Sequence, residues 1–224
     1  MAYKSIYNNF EQYPLLPTQI VNNAYSDSEL TEIEQRAKKN HIKIIEGKQS
    51  TRTFFDLHKD PVLYQLIGSK LPDIIKDCFV ADIALILEGH FPFEVHTDSG
   101  HMKLEGKKYA PLSQVIIPFD TLDAHTITFN QTYLGLKMEE YMYEQKEPIK
   151  NHISDSDWKE HLSHVPDWER KFLSIETIFK WNRGDLFTYD MRRLHSASNH
   201  RAKGLDIKRG IVLMCKTLEE NFPR

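Results

Sequence analysis

From residue 79 onward the chain divides into short runs rich in β-branched and aromatic residues, separated by clusters of turn formers. Runs of that length and composition suit strands rather than helices. They fall at 81–87, 94–96, 114–119, 126–131, 176–181, 186–189 and 208–216. So many short strands with few helices between them predict an antiparallel β-sandwich or jelly roll. The first third reads as helical instead. Ser26 with Glu29 three residues later has the form of a capping box, and Leu30, Ile33 and Ala37 recur at helical spacing to about Lys39. Asp60-Pro61 looks like the N-cap and first residue of a second helix through Gly68, and Leu71-Pro72 opens a third, short one through Cys78. The expectation is a mainly β fold in one domain over 1–224, with helical support at about 1–79 and a strand core at about 80–217. A break at about 135–170 reads as an insertion.

Composition narrows the function. The 224 residues include 25 Phe, Trp and Tyr, enough for a packed core, and 29 Lys+Arg against 32 Asp+Glu leave a net charge of −3. That balance argues against a nucleic-acid coat or a polybasic membrane binder. Two cysteines, Cys78 and Cys215, make neither a disulfide framework nor a paired-cysteine zinc site. Residues 1–16 contain no uninterrupted apolar run, and the apolar stretch 79–87 is broken by Asp82. A soluble, cytoplasmic protein is expected.

The chemistry concentrates at His96-Thr97-Asp98, which follows a strand and precedes the turn signal Ser99-Gly100. On a strand, residues i and i+2 face one side, so His96 and Asp98 can offer an imidazole and a carboxylate to one metal. Two His-x-Asp strings occur, and composition alone gives roughly one. The other, His58-Lys59-Asp60, is better explained as a strand end running into a helix N-cap. What distinguishes His96 and Asp98 is a third member 99 residues later: a Gly184-Asp185 turn, a strand, then His195 at its far rim. Lys208 and Arg209 open the last strand, and the segment 192–209 holds six Lys+Arg and one Asp.

His-x-Asp, about a hundred residues, His, then a cation on the next strand resembles the Fe(II)/2-oxoglutarate-dependent oxygenase superfamily, whose core is a double-stranded β-helix, or jelly roll. The resemblance covers roughly 82–217. It implies that His96, Asp98 and His195 form a facial triad for Fe(II), leaving positions for 2-oxoglutarate and dioxygen. It also implies a buried cation for the distal carboxylate of 2-oxoglutarate, because a carboxylate removed from water must be paired. Lys208 puts Gly210 and Val212 on its own face, similar to the family's cation-x-small pattern. Arg209 would put Ile211 and Leu213 inward, an equally plausible core face, and binds carboxylates bidentately. Both stay candidates. Thr128 and Asn130, on one face of their strand, are candidates for contacting 2-oxoglutarate or substrate.

Rival readings carry less. The His-x-His pair and Glu of cupins are absent, and 126–131 has no Lys of the kind that jumonji-type demethylases use. His161 and His164 could hold zinc with Glu160 or Asp167, but an exposed helix face accounts for them. His90, His101 and His125 read as surface or packing residues. The alternative to an enzyme is a jelly-roll metal- or ligand-binding module without oxygenase activity. The insertion carries nine acidic and five basic residues together with Tyr141, Tyr143, Trp158 and Trp168. It reads as a lid over the metal or, equally, as a packing arm or dimer contact, and its acidity favours a cationic small molecule, amino acid or peptide.

Overall fold

The computed structural model describes residues 13–76, 79–98, 109–133, 138–145 and 147–221. Ser99-Gly100, His101, Cys78 and the first residues of the insertion lie outside them.

Among the described residues, ten strands form two antiparallel sheets. The larger has the order β1 (Gln19–Val21), β8 (Leu186–Asp190), β5 (Tyr109–Pro118), β10 (Lys208–Leu218), β4 (Val80–Gly89), β3 (Ser50–Phe55), β2 (His41–Glu46). The smaller has β7 (Ile175–Lys180), β6 (His125–Thr132) and β9 (Arg193–Ala197). His96 extends the smaller sheet by an antiparallel bridge to His195, with N–H to O=C distances of 3.0 and 2.9 Å. Two sheets facing each other in this order make the jelly roll expected from the strand pattern. The expected strand at 94–96 is reduced to that single bridge.

Helix α1 (Asp27–Lys39) starts at the capping box read from Ser26 and Glu29, and it buries Leu30, Ile33 and Ala37. Asp60 caps α2 (Pro61–Gly68), accepting from the amides of Val62 and Leu63, so the second His-x-Asp string is structural. A single turn, α3 (Asp73–Lys76), follows. The first third is nevertheless not wholly helical, because β1, β2 and β3 all join the larger sheet.

The alternation of strand side chains divides the interior in two. Ala84 and Ile86 of β4, Val115 and Ile117 of β5, and Ile211, Leu213 and Cys215 of β10 face the helices in one apolar core. Their neighbours Leu85, Ile116 and Val212 point between the sheets, where they meet Phe179, Trp181, Phe187 and Tyr189. Gly184, at φ 86°, turns the chain into β8; its carbonyl accepts from Tyr25 N–H at 2.9 Å. A Cβ there would sit 2.5 Å from the Tyr25 carbonyl oxygen, so glycine is required.

The insertion contains α4 (Met138–Gln145) and α5 (Asp155–His161). Met138, Tyr141, Trp158 and Leu162 pack with Ile127, Phe129 and Leu194 on the outer face of the smaller sheet. Nothing in its described residues lines the cavity between the sheets. Tyr141 and Trp158 of the insertion bury against the sheet, as a packing arm would, whereas Trp168 is exposed and His164 meets the Phe93 carbonyl at 3.2 Å. His161 is likewise buried, with a relative exposure of 6%, rather than on an exposed helix face.

Candidate metal centre

Three ligand-type side chains converge at the rim of the sandwich. The ligand atoms of His96, Asp98 and His195 lie within 4.8 Å of one another, the one such cluster among the described residues. Asp98 stands between the rings, with Oδ2 3.3 Å from His195 Nε2 and Oδ1 3.9 Å from His96 Nε2. The bridge between His96 and His195 fixes this meeting: it brings together two residues far apart in sequence, and the strand period then puts Asp98 on the side of His96.

Both imidazoles are oriented by backbone. His96 Nδ1 lies 2.6 Å from Glu94 O, and His195 Nδ1 lies 3.2 Å from Arg193 O. A carbonyl only accepts, so each Nδ1 carries the proton and the neutral ring keeps its lone pair on Nε2. Two Nε2 lone pairs and a carboxylate are the donor set of a 2-His-1-carboxylate metal site. Tyr189 packs its ring 5.1 Å from that of His195. Burial, and then the charge of Asp98, hold the Tyr189 phenol far above its ordinary pKa, so it is a neutral hydroxyl.

Behind the triad a cavity of about 360 Å³ runs between the sheets, and it is lined by His96, Asp98 and His195 together with Lys208. Lys208 is buried. Its Nζ lies 3.4 Å from His125 O and 4.2 Å above the Trp181 ring. No carboxylate of the described residues pairs with it, and burial pushes its pKa down to about 7. Its titratable neighbours are imidazoles held neutral: burial and then the Lys208 charge lower the pKa of His200 to about 4, and burial, helped by the same charge, lowers that of His164. Gly210 makes room for this arrangement. A Cβ at that position would come 2.7 Å from Ile117 O and 3.1 Å from the Trp181 ring on which the ammonium rests.

Arg209, one residue on, points to the opposite face. Its guanidinium meets both Asp120 oxygens at 3.1 Å, with Glu34 at 3.7 Å. Thr128 and Asn130 do not line the cavity. Thr128 donates to Glu176 Oε2 at 2.6 Å, an oxygen that also accepts from Thr18, and Asn130 bonds Ser174 at the surface. The same strand contributes Thr126 instead, whose hydroxyl accepts from Trp181 Nε1 at 2.9 Å. His125 is a packing residue, edge-on to His161, and burial lowers its pKa to about 4.

Several cavity residues were not singled out from sequence. Arg52 and Phe54 of β3 and Gln114 of β5 line it. Gln114 Oε1 and the Tyr189 hydroxyl, on paired positions of β5 and β8, are buried without a hydrogen-bond partner. Such orphaned atoms suit a cavity built for a polar ligand. The signal was the inward parity of β5 and β8, legible only once the pairing is known.

No protein-family model and no curated protein matches the sequence. Solved structures do match the fold. The non-heme alpha ketoglutarate dependent carbocyclase SnoK from nogalamycin biosynthesis aligns over 96% of this chain and 84% of its own, with a TM-score of 0.53 at 12% identity. The fold is that of the 2-oxoglutarate-dependent oxygenases. EctD from S. alaskensis aligns over 92% of this chain and 76% of its own, with a TM-score of 0.53 at 12% identity. HygX from Streptomyces hygroscopicus, described with nickel and 2-oxoglutarate bound, aligns over 97% and 87%, with a TM-score of 0.50 at 10% identity.

Proposed function

We propose that the protein is an Fe(II)- and 2-oxoglutarate-dependent oxygenase that hydroxylates a small molecule, amino acid or peptide. The observation that carries this reading is the pairing, in one cavity, of the His96, Asp98 and His195 cluster with a buried, carboxylate-free Lys208. A protein does not bury a lone ammonium without reason, since an uncompensated interior charge is strongly destabilising. A dicarboxylic ligand accounts for both ends: one carboxylate at the metal, the other on Lys208. Lys208 rather than Arg209 has this role, because Arg209 is neutralised by Asp120 on the other face. The ligands of neighbours such as HygX agree with it.

In this reading His96 Nε2, His195 Nε2 and Asp98 hold iron, and the two backbone carbonyls keep the rings turned towards it. Bound there, ferrous iron supplies the oxidation: dioxygen and 2-oxoglutarate become succinate and carbon dioxide as the substrate gains a hydroxyl. Lys208 keeps its proton and receives the distal carboxylate, while Trp181 supports the ammonium from below. The Tyr189 hydroxyl and Gln114 provide further polar contacts to a bound dicarboxylate. Leu85, Ile116 and Val212 form an apolar wall that keeps water from the reacting centre.

The test is iron-dependent conversion of 2-oxoglutarate to succinate by the purified protein, with titration of 2-oxoglutarate into the metal-loaded form. Binding that requires metal, and succinate formation that stops in Asp98→Ala, are expected. Binding of 2-oxoglutarate that is indifferent to metal would leave a ligand-binding jelly roll instead.

A further inference from the structure

The cavity contains a second cation. Arg52 lies on β3, in register with Leu87 of β4, so its side chain points between the sheets along with Phe54. Its guanidinium carbon sits 5.6 Å from the centre of the Phe93 ring, and Phe93 in turn lies 5.9 Å from the His96 ring. Phe93 therefore neighbours both the guanidinium and the His96 ring of the triad. Arg52 Nε donates to Ser50 Oγ at 3.1 Å, and the residue has no ion pair with any described carboxylate. Asp98 is the one acid among the lining residues, and metal binding would occupy it.

A guanidinium stacked on an aromatic face keeps its remaining N–H donors in one plane, which is the geometry that grips an oxyanion with two parallel hydrogen bonds. The turn that carries Arg52 is also held in place. Gln49 O accepts from the amides of His90 and Phe91, and Gln49 Nε2 donates to Pro92 O, so the 90–93 loop and the start of β3 are tied together. Around the guanidinium the wall is apolar, formed by Phe54, Ile83, Leu85 and Leu87.

We propose that Arg52 is the specificity-determining residue for the primary substrate, and that this substrate is a small carboxylate with an apolar body. The carboxylate sits on Arg52, the body lies against the Phe54 and Leu87 wall, and the carbon to be oxidised is directed towards the triad past Phe93. This rests on the oxygenase reading for the fate of the substrate, but the anion site itself does not. The apolar residues of the insertion pack on the smaller sheet, and none of its described residues lines the cavity.

The experiment uses three acid and amide pairs of equal shape: butanoate, hexanoate and 3-phenylpropanoate, each with its primary amide. Each is titrated by calorimetry into the full-length, zinc-loaded protein with 2-oxoglutarate saturating. A bidentate charge-assisted contact is expected to favour at least one acid over its amide by about tenfold or more. Arg52→Gln should erase that preference without changing 2-oxoglutarate affinity, and Arg52→Lys should restore part of it. If no acid binds better than its amide, or if the preference survives Arg52→Gln, the proposal is wrong. The same titrations in Lys208→Met, where the other cation is removed, read Arg52 alone. An acid preference there, with no 2-oxoglutarate binding to the wild type, would overturn the oxygenase reading and leave the Arg52 site standing.

Discussion

The two faces of the larger sheet are made by the same strands and do opposite things. On β10, Ile211, Leu213 and Cys215 point to the helices and are fully buried among apolar side chains, whereas Lys208, Val212 and Met214 point into the cavity. On β3, Phe55 goes to the helix side and Arg52 to the cavity. One face is sealed by apolar packing, and Arg209 at its edge is neutralised by Asp120. The other retains an ammonium without a carboxylate, orphaned polar atoms and a cluster of metal-ligand type. The strand period thus separates stability from chemistry residue by residue, and substitutions on the two faces should differ in kind.

The largest effect is expected at the triad. Asp98→Ala or His195→Ala should weaken metal binding by more than about 100-fold, beyond the loss seen when only supporting residues are changed. Thermal unfolding of the metal-free protein should move little, because neither side chain belongs to an apolar core. A metal affinity close to that of the wild type, measured by competition with a chelator, would remove the cluster from the mechanism.

Next is Lys208→Met. Leaving the distal carboxylate unpaired should weaken 2-oxoglutarate binding by about 100-fold or more. The metal-free variant should be at least as stable as the wild type, because the substitution removes a buried unpaired charge. The pH dependence follows from the same residue. Its folded pKa of about 7 lies below its ordinary value of 10.5. Between these values the unfolded chain binds the additional proton, so stability rises with pH through that window. Ligand affinity runs the other way. With the ammonium receiving 2-oxoglutarate as proposed, the Kd should rise from pH 7 to pH 9 by up to about tenfold per unit, and Lys208→Met should lose this slope.

Ile211→Ala, on the sealed face, should destabilise the fold by about 2–5 kcal/mol with no change in 2-oxoglutarate affinity at temperatures where the variant is folded. The smallest effect is expected at Arg209, whose pair with Asp120 is partly exposed. Arg209→Ala should change stability by less than about 1 kcal/mol and leave ligand binding alone. A large loss of 2-oxoglutarate affinity there would reverse the assignment of the two neighbouring cations.

What could be read from the sequence follows from this division. Strong local signals carried through: the capping box at Ser26, the N-cap at Asp60, the β-branched runs of β4, β5 and β10, and the His-x-Asp spacing. Strands with weak local signals did not. β2 is exposed along its whole length as an edge strand, with Ile42 and Ile44 in solvent, so it has no buried face to leave a pattern. β9 reads Arg-Leu-His-Ser-Ala and contains no β-branched residue, yet it carries His195. The cation could not be chosen from sequence because both parities of β10 give a plausible inner face. Only the pairing with β4 and β5 decides which one meets the cavity. Arg52 was illegible for the same reason, lying in a strand hidden among helices.

The most direct measurement is a crystal structure of the protein with Ni(II) and 2-oxoglutarate. The metal should be bound by His96 Nε2, Asp98 and His195 Nε2 at about 2.0–2.2 Å, with the distal carboxylate within about 3 Å of Lys208 Nζ. Metal held by other residues, or a distal carboxylate on any group but Lys208, would contradict the account.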